Sequence, residues 1–279
     1  MNDFSYEILD LLKKYDNDTN AALAGENSPQ CLYAFSPLRE NLFEWVEFEA
    51  DSRILQIGSD YGSFTGILAE QAGEVVVLDP RDENLEVNRI RHSARENVTF
   101  VRGEVCDQTP WKVYKDSSKD IQAIMSKPFD YIVMGPFLMQ SKKEEAAEVL
   151  KAVSNYLKEG GVLLAAVENE TGVRYWMGAE KPENSYLESE FHSLFAELTK
   201  TCGGTFTMYY PVPDYRYPVA VYSDHYLPET GDVTNISARY DGPGFWFGSE
   251  EEAMAKACQN GMFTKFNNSF LGVWEKGTK

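Results

Sequence analysis

The residues with the clearest chemical pattern lie between positions 54 and 79. The apolar run Ile54-Leu55-Gln56-Ile57 is followed by Gly58-Ser59-Asp60-Tyr61-Gly62-Ser63-Phe64-Thr65-Gly66. This is the order of a buried strand entering a tight turn and then a helix, whose apolar positions Phe64, Ile67, Leu68 and Ala72 face a sheet. Glycine belongs at such a turn because φ > 0 is cheap and a missing Cβ lets a ligand approach the backbone. The next apolar run ends in Asp79, about 20 residues on, where a carboxylate can accept hydrogen bonds from ribose hydroxyls. Together these features predict a nucleoside site. The spacing then separates cofactor classes. A dinucleotide fingerprint places its glycines as G-x-G-x-x-G so that a pyrophosphate can sit on the helix N-terminus. Here the glycines fall at 58, 62 and 66 with Asp60 inside the turn. A carboxylate beside a pyrophosphate sets negative against negative, so NAD and FAD are disfavoured and a ligand carrying an ammonium suits the turn better.

The turn needs a scaffold, and the rest of the chain describes one. Apolar runs at 54–57, 75–78, 98–101, 131–134 and 162–167 alternate with helix-length amphipathic segments near 64–72, 83–94, 142–157 and 187–201. Such Val/Ile/Leu runs, separated by helices, are what a parallel sheet covered on both faces requires. The predicted fold is a doubly wound, Rossmann-like α/β domain with about five parallel strands, and the runs 206–210 and 270–274 close its edge. Before it, Phe4, Ile8, Leu11, Leu12 and Tyr15 predict an amphipathic helix, a polar stretch runs through Asn17, Asp18, Asn20 and Asn27, and a second helical run covers 38–48. Residues 1–50 are therefore read as a helical extension and 51–279 as the main domain. Segments 168–186 and 209–247, rich in Tyr, Trp, Pro and Gly, are read as lid or acceptor loops, or equally as a covering over a sheet edge.

Composition narrows the partners. The chain has 279 residues, with 26 Lys and Arg against 44 Asp and Glu, a formal net charge of −18. That balance argues against nucleic acid and anionic membrane surfaces, because phosphate contacts need clustered bases. Cys31, Cys106, Cys202 and Cys258 form no C-x-x-C pair, so neither a zinc site nor a disulfide framework is expected. No signal-peptide pattern opens the chain and no apolar run approaches the roughly 18 residues of a membrane helix. A cytoplasmic protein without membrane insertion is the expectation.

Together, the first turn, PLRENLFEW (37–45), LKEGGVLLAAVEN (157–169), GVRYWMG (172–178), YYPVPDYRYP (209–218), VYSDHYLPETGD (221–232) and FNNSFLGVWEK (266–276) make the chain resemble the class I S-adenosylmethionine-dependent methyltransferases. More narrowly, it resembles methyltransferase domains associated with bacterial surface-glycan biosynthesis. The resemblance implies S-adenosylmethionine as cofactor. Gln56, Gly58, Ser59, Asp60 and Gly62 would approach its methionine portion, and Asp79 with Pro80 its ribose. Glu104 and Val105 would lie at its adenine, and Gly135 with Pro136 beside the reactive methyl. It also implies a small-molecule or sugar acceptor, with a homodimer or a glycosyltransferase as compatible partners. The chain departs from the pattern in carrying Gln56 for the usual acid, Asp60 for a glycine, and the loop GPFLMQ without an acid.

Methyl transfer to a hydroxyl calls for a base, and the chain has only three histidines. His92 follows Asp79 on a helix and reads as structural or solvated; His192 reads as a surface residue. His225, Glu168 and Tyr175 are the candidates for acceptor chemistry, with Asn169 and Trp176 beside them. None of these forms a catalytic signature. The sequence therefore supports two readings, a methyltransferase and a catalytically degenerate relative that keeps the fold for binding or scaffolding.

Overall fold

A computed structural model describes residues 4–105, 112–113, 121–140, 142–233 and 246–278. The chain opens with α1 (Ser5–Lys14), α2 (Thr19–Gly25), α3 (Pro29–Phe35) and α4 (Asn41–Glu44). Then β1 (Arg53–Ile57), α5 (Thr65–Gln71), β2 (Glu74–Asp79), α6 (Asp82–Arg91) and β3 (Val98–Glu104) alternate as the periodicity predicts. Next come β4 (Lys112–Val113), α7 (Ile121–Ser126), β5 (Phe129–Met134), α8 (Ala146–Ser154), β6 (Leu157–Glu168), α9 (Val173–Trp176) and α10 (Glu188–Cys202). The chain closes with β7 (Thr205–Val212), β8 (Ala220–Ser223), α11 (Glu250–Gln259), α12 (Phe263–Phe266) and β9 (Ser269–Glu275).

The strands form one nine-stranded sheet in the order β4-β3-β2-β1-β5-β6-β9-β7-β8. Five of them, β3, β2, β1, β5 and β6, run parallel. Successive residues feed opposite faces: Leu55, Ile57, Val76 and Leu78 join one core, while Ile54, Val75 and Val77 join the other. The strand order reverses between β1 and β5, and ligands of open α/β sheets bind at that switch point, outside the carboxyl ends of the strands.

The far edge is antiparallel. β9 runs against β6, and β7 against β9, so β7 points the same way as β6. The loop at 213–219 therefore leaves β7 at the carboxyl edge. The run 206–210 is part of β7, as expected at the sheet edge, while residues 211–212 and Ala220–Ser223, read from composition as loop, are also strand; Tyr209 pairs with Ser223 and Val212 with Ala220. Residues 234–245 of that predicted lid lie outside the described residues.

The helical extension also differs from its reading. The polar stretch holds α2, because Asp18 accepts the Ala21 N–H at 2.9 Å as an N-cap. The run at 38–48 breaks into a 3-10 turn at Pro37–Arg39 and α4. It ends where the Trp45 indole turns back to the Leu42 carbonyl (2.9 Å) and its ring meets Tyr209 at 4.6 Å. The α1–α3 layer does not stand apart: Ile8, Leu12, Cys31 and Phe35 share a buried cluster with Val87 of α6 and Tyr61 of the first turn.

Candidate active site

The first turn uses the glycines as predicted: Gly58 has φ +87° and Gly62 φ +78°. Between them Asp60 (φ +46°) and Tyr61 (φ +57°) also occupy the left-handed region, at a cost of about 1–2 kcal/mol each. Several contacts hold them there. The Tyr61 amide donates to Asn84 Oδ1 at 2.9 Å, the Tyr61 hydroxyl accepts from the Phe4 amide at 3.1 Å, and its ring is buried under α1–α3.

Spacing alone aimed Asp60 at a ligand's ammonium, but here an internal cation meets it. Its carboxylate accepts from the Arg39 guanidinium and from the Tyr33 hydroxyl (3.0 Å). Arg39 is fully buried, stacks 3.8 Å over the Tyr33 ring and donates through Nη1 to the Tyr33 carbonyl at 3.1 Å. Burial pushes the Tyr33 phenol up, so it remains a donor.

Asp79 is 1% exposed. Its Oδ2 accepts from the Ser59 amide (2.8 Å) and Asn84 Nδ2 (2.7 Å); its Oδ1 accepts from the Arg81 amide (2.8 Å) and, longer, Arg81 Nε (3.4 Å). A carboxylate offers about four acceptor positions, and the chain's own groups fill them. Gln56 likewise works within the turn, donating to the Gly58 and Ser59 carbonyls (3.0 and 3.3 Å) and accepting from Thr65 Oγ1 (2.8 Å). Pro80 follows Asp79, Glu104 ends β3 with Val105 next, and Gly135 and Pro136 follow β5. A Cβ on Gly135 would come within 3.1 Å of the Phe64 ring. His92 packs against the first turn and bonds the Gly62 carbonyl at 2.9 Å. Burial, then the charge of Arg91, pushes its pKa down to about 4.

A second cluster stands at the carboxyl end of β6. Glu168, 2% exposed, accepts from the Tyr175 hydroxyl at 2.6 Å and pairs with Arg216 at 3.2 Å. Arg216 also reaches Asp214 (3.3 Å), which pairs with buried Arg174 at 2.6 Å. Burial pushes the Glu168 carboxyl up, opposed by the Arg216 charge; burial and then Glu168 push the Tyr175 phenol up. The two clusters meet at buried Tyr215, whose phenol feels Tyr33 and Arg39 on one side and Glu168 and Arg216 on the other.

Of the acceptor-side candidates, the structure brings Glu168 and Tyr175 together. Asn169 is a scaffold residue, its amide group spent on the Lys265 and Asn267 carbonyls (2.8 and 2.6 Å) and on Thr171. Trp176 is 64% exposed. His225 is not brought in: β8 descends from the carboxyl edge on the outermost position of the sheet, and His225 is exposed beyond its lower end. His192 is exposed on α10. Sequence reasoning missed Tyr33, Arg39, Arg174, Asp214, Tyr215 and Arg216. The available signal was a charge set inside an aromatic-proline block, as in PLRENLFEW and YYPVPDYRYP.

A switch point flanked by this glycine turn and an acid at the end of β2 is the nucleoside-binding arrangement of a Rossmann-like fold. Residues 55–163 match the family model of a methyltransferase domain, 109 of the 279 residues. An uncharacterized methyltransferase of Staphylococcus carnosus is 26% identical over 192 residues, 69% of this chain and 81% of that one. The N-methyltransferase NodS of Bradyrhizobium japonicum, solved with S-adenosyl-L-homocysteine, superposes with a TM-score of 0.51 at 14% identity, covering 99% of this chain and 100% of that one. Phosphoethanolamine N-methyltransferase 1 of Haemonchus contortus, solved with phosphoethanolamine and S-adenosylhomocysteine, gives 0.52 at 15% identity, covering 98% of this chain and 49% of that one. S-adenosylmethionine is the cofactor of this class of domain.

The chain's residues suit the amino-acid end of that cofactor, which carries a carboxylate and an ammonium. Asp60 supplies a carboxylate at the turn, and the Nε–H of Arg39, although buried, has no acceptor. Among the described residues no helix is long and apolar enough to cross a membrane. Cys31, Cys202 and Cys258 are free thiols; Cys106 lies outside the described residues.

Proposed function

We propose that the chain is a cytoplasmic S-adenosylmethionine-dependent methyltransferase acting on a hydroxyl of a small-molecule or glycan-related acceptor. The observation that carries the acceptor chemistry is the Tyr175–Glu168 hydrogen bond, 2.6 Å long and buried at the carboxyl end of β6, on the edge that also bears the first turn. The glycan-related class rests on the blocks at 172–178, 209–218 and 221–232.

When bound, the cofactor supplies an electrophilic methyl group on a sulfonium. The turn from Gly58 to Gly62, with Ser59 and Gln56 fixing its shape, holds the methionine portion. Asp79 takes the ribose hydroxyls; Arg81 Nε, at 3.4 Å its longest contact and on a side chain 29% exposed, is the donor that yields. Pro80, Glu104 and Val105 border the adenine, and Gly135 lies beneath the reacting centre. Glu168 accepts the acceptor hydroxyl's proton, Tyr175 holds the carboxylate's orientation, and Arg216 keeps it ionised. The aromatic surroundings of Tyr33, Tyr215 and Phe64 exclude water from the line of displacement.

The rival reading is a degenerate relative used as a binding or scaffold subunit. Its support is the internal satisfaction of Asp60 and Asp79. Calorimetric titration with S-adenosylhomocysteine and then NADH separates the two. Micromolar binding of the first alone supports the methyltransferase, and no heat with either supports the scaffold.

A further inference from the structure

We infer that Asp214 is a positioning residue for the Glu168 base: it holds the Arg216 guanidinium between two carboxylates, so that Glu168 shares its cation and stays a strong proton acceptor. The inference rests on the hydroxyl-methyltransferase reading and extends it to a residue that acts only through Arg216.

One nitrogen serves both acids. Arg216 Nη2 lies 3.2 Å from Glu168 Oε1 and 3.3 Å from Asp214 Oδ2. Both distances are long for a charge-assisted contact, which runs at about 2.7–2.9 Å. The shortest contact of each carboxylate goes to a different donor. Glu168 Oε2 takes the Tyr175 hydroxyl at 2.6 Å, and Asp214 Oδ2 takes Arg174 Nη1 at 2.6 Å. The guanidinium of Arg216 is therefore divided and held closely by neither acid. An undivided Arg216 would settle on Glu168 as a short ion pair, and a carboxylate held that way gives up much of its affinity for a proton.

Asp214 is fixed where Arg216 is not. It is fully buried, and its Oδ1 accepts the Arg216 amide at 2.8 Å, which pins the backbone of the residue whose side chain it also holds. Asn268 sets the distance to the opposite cation: its Nδ2 donates to the Pro213 carbonyl at 2.9 Å and its Oδ1 accepts the Arg174 amide at 3.0 Å. Arg216 is the most open of the four charges, its side chain 15% exposed against 2% or less for Glu168, Arg174 and Asp214. It has room to shift, and Asp214 decides where it rests. The groups facing Glu168 are Asp214, Tyr215 and Arg216 from the loop after β7, and Arg174 and Tyr175 from α9. Burial and then the Asp214 charge raise the Glu168 carboxyl, while Arg216, Arg174 and Tyr175 oppose that rise.

The test is an NMR titration of the full chain labelled at the glutamate carboxyl carbon, with the Glu168 signal assigned by its loss in Glu168→Gln. Asp214→Asn keeps the shape and can still accept from the Arg216 amide, but it releases the guanidinium to Glu168. The Glu168 midpoint should fall by about one pH unit or more, a loss of about tenfold or more in proton affinity. An Asp214 that only braced the loop would leave the midpoint in place. Turnover should follow, with the acid limb at lower pH and a lower plateau, because a weaker base takes the hydroxyl proton less readily. Should removal of the acid opposite buried Arg174 prevent folding, the double variant Arg174→Met with Asp214→Asn removes that pair together, and the midpoint should again fall. An unmoved or raised midpoint in the variant that folds overturns the inference and leaves the methyltransferase reading standing. Failure of the wild type to bind S-adenosylhomocysteine, measured on the same preparation, removes that reading and the inference with it.

Discussion

Tyr175 donates to Glu168 across 2.6 Å, and that carboxylate's other oxygen lies 3.2 Å from Arg216. A buried acid held between a phenol and a guanidinium is ordered on both sides before any acceptor arrives. Glu168→Gln should preserve the packing and remove the proton acceptor. Methyl transfer to a hydroxyl acceptor is expected to fall by about 10²–10⁴-fold, with S-adenosylhomocysteine affinity unchanged in the same preparation. A variant that retains wild-type turnover would place the base elsewhere.

The pH profile should carry the same signature. Burial and then the Asp214 charge raise the Glu168 carboxyl, and Arg216, Arg174 and then Tyr175 act against that rise. The base works only when ionised, so turnover should decline on the acid side at a higher pH than an ordinary carboxylate would give. Tyr175→Phe removes a donor to the ionised form, which pushes the pKa further up and moves the acid limb to higher pH still. A limb that stays in place in this variant would show that Glu168 does not govern it.

Asp79 is the acid that the sequence assigns to ribose, and the structure adds a second duty. Asp79→Ala would strip acceptors from the buried Ser59 amide and Asn84 carboxamide and from the Arg81 amide. The expected loss in urea unfolding is about 1.5–3 kcal/mol, the range for hydrogen bonds to a charged group. S-adenosylhomocysteine binding should weaken as well. Lower stability with full affinity would leave Asp79 as an organiser of the turn only.

The parallel half of the sheet was legible because its signal is local. Runs such as Val75–Leu78 are buried on both faces, so each residue reports the same environment. The glycine turn was legible for a similar reason, since φ > 0 at Gly58 and Gly62 is a property of single residues. Its partners were not. Arg39 reaches Asp60 across 21 positions, and Arg174 reaches Asp214 across 40. No spacing rule links such residues, because only the stacking of α3 on the first turn, and β7 ending at the same edge as β6, bring them together. Pro211 and Val212 show the opposite failure: their proline-rich block reads as loop, yet they continue the edge strand expected at 206–210 and pair with β8.

His92 gives a stability test independent of any ligand. Its pKa falls to about 4 in the folded chain through burial and the Arg91 charge, against 6.5 for the free side chain. Between pH 6.5 and 4 the unfolded chain therefore binds a proton that the folded chain refuses. Its contribution to stability is complete above that window and is lost as pH falls through it, with a slope of up to about 1.4 kcal/mol per pH unit. His92→Gln, which can still donate to the Gly62 carbonyl, should flatten the curve between pH 7 and 5 in urea titrations. Parallel curves for the two proteins would show that His92 takes up its proton alike in the folded and unfolded chains.

Gly272 tests how the antiparallel edge is joined to the rest. It lies on β9 between Ala165 of β6 and Met208 of β7, so any side chain there must project from the sheet. A Cβ at this position would come within 2.4 Å of Phe195 Cε2 and 2.6 Å of its Cζ. Phe195 is fully buried on α10 and stacks on Phe206 with centroids 5.9 Å apart, so its ring has no solvent to move into. Gly272→Ala should therefore cost about 1–3 kcal/mol by overpacking, despite the alanine's better strand propensity. Pairing it with Phe195→Leu, which withdraws the ring edge, should recover part of that loss. The coupling can be read from a double-mutant cycle in urea. Strict additivity of the two changes would mean that α10 does not press on β9 at this point.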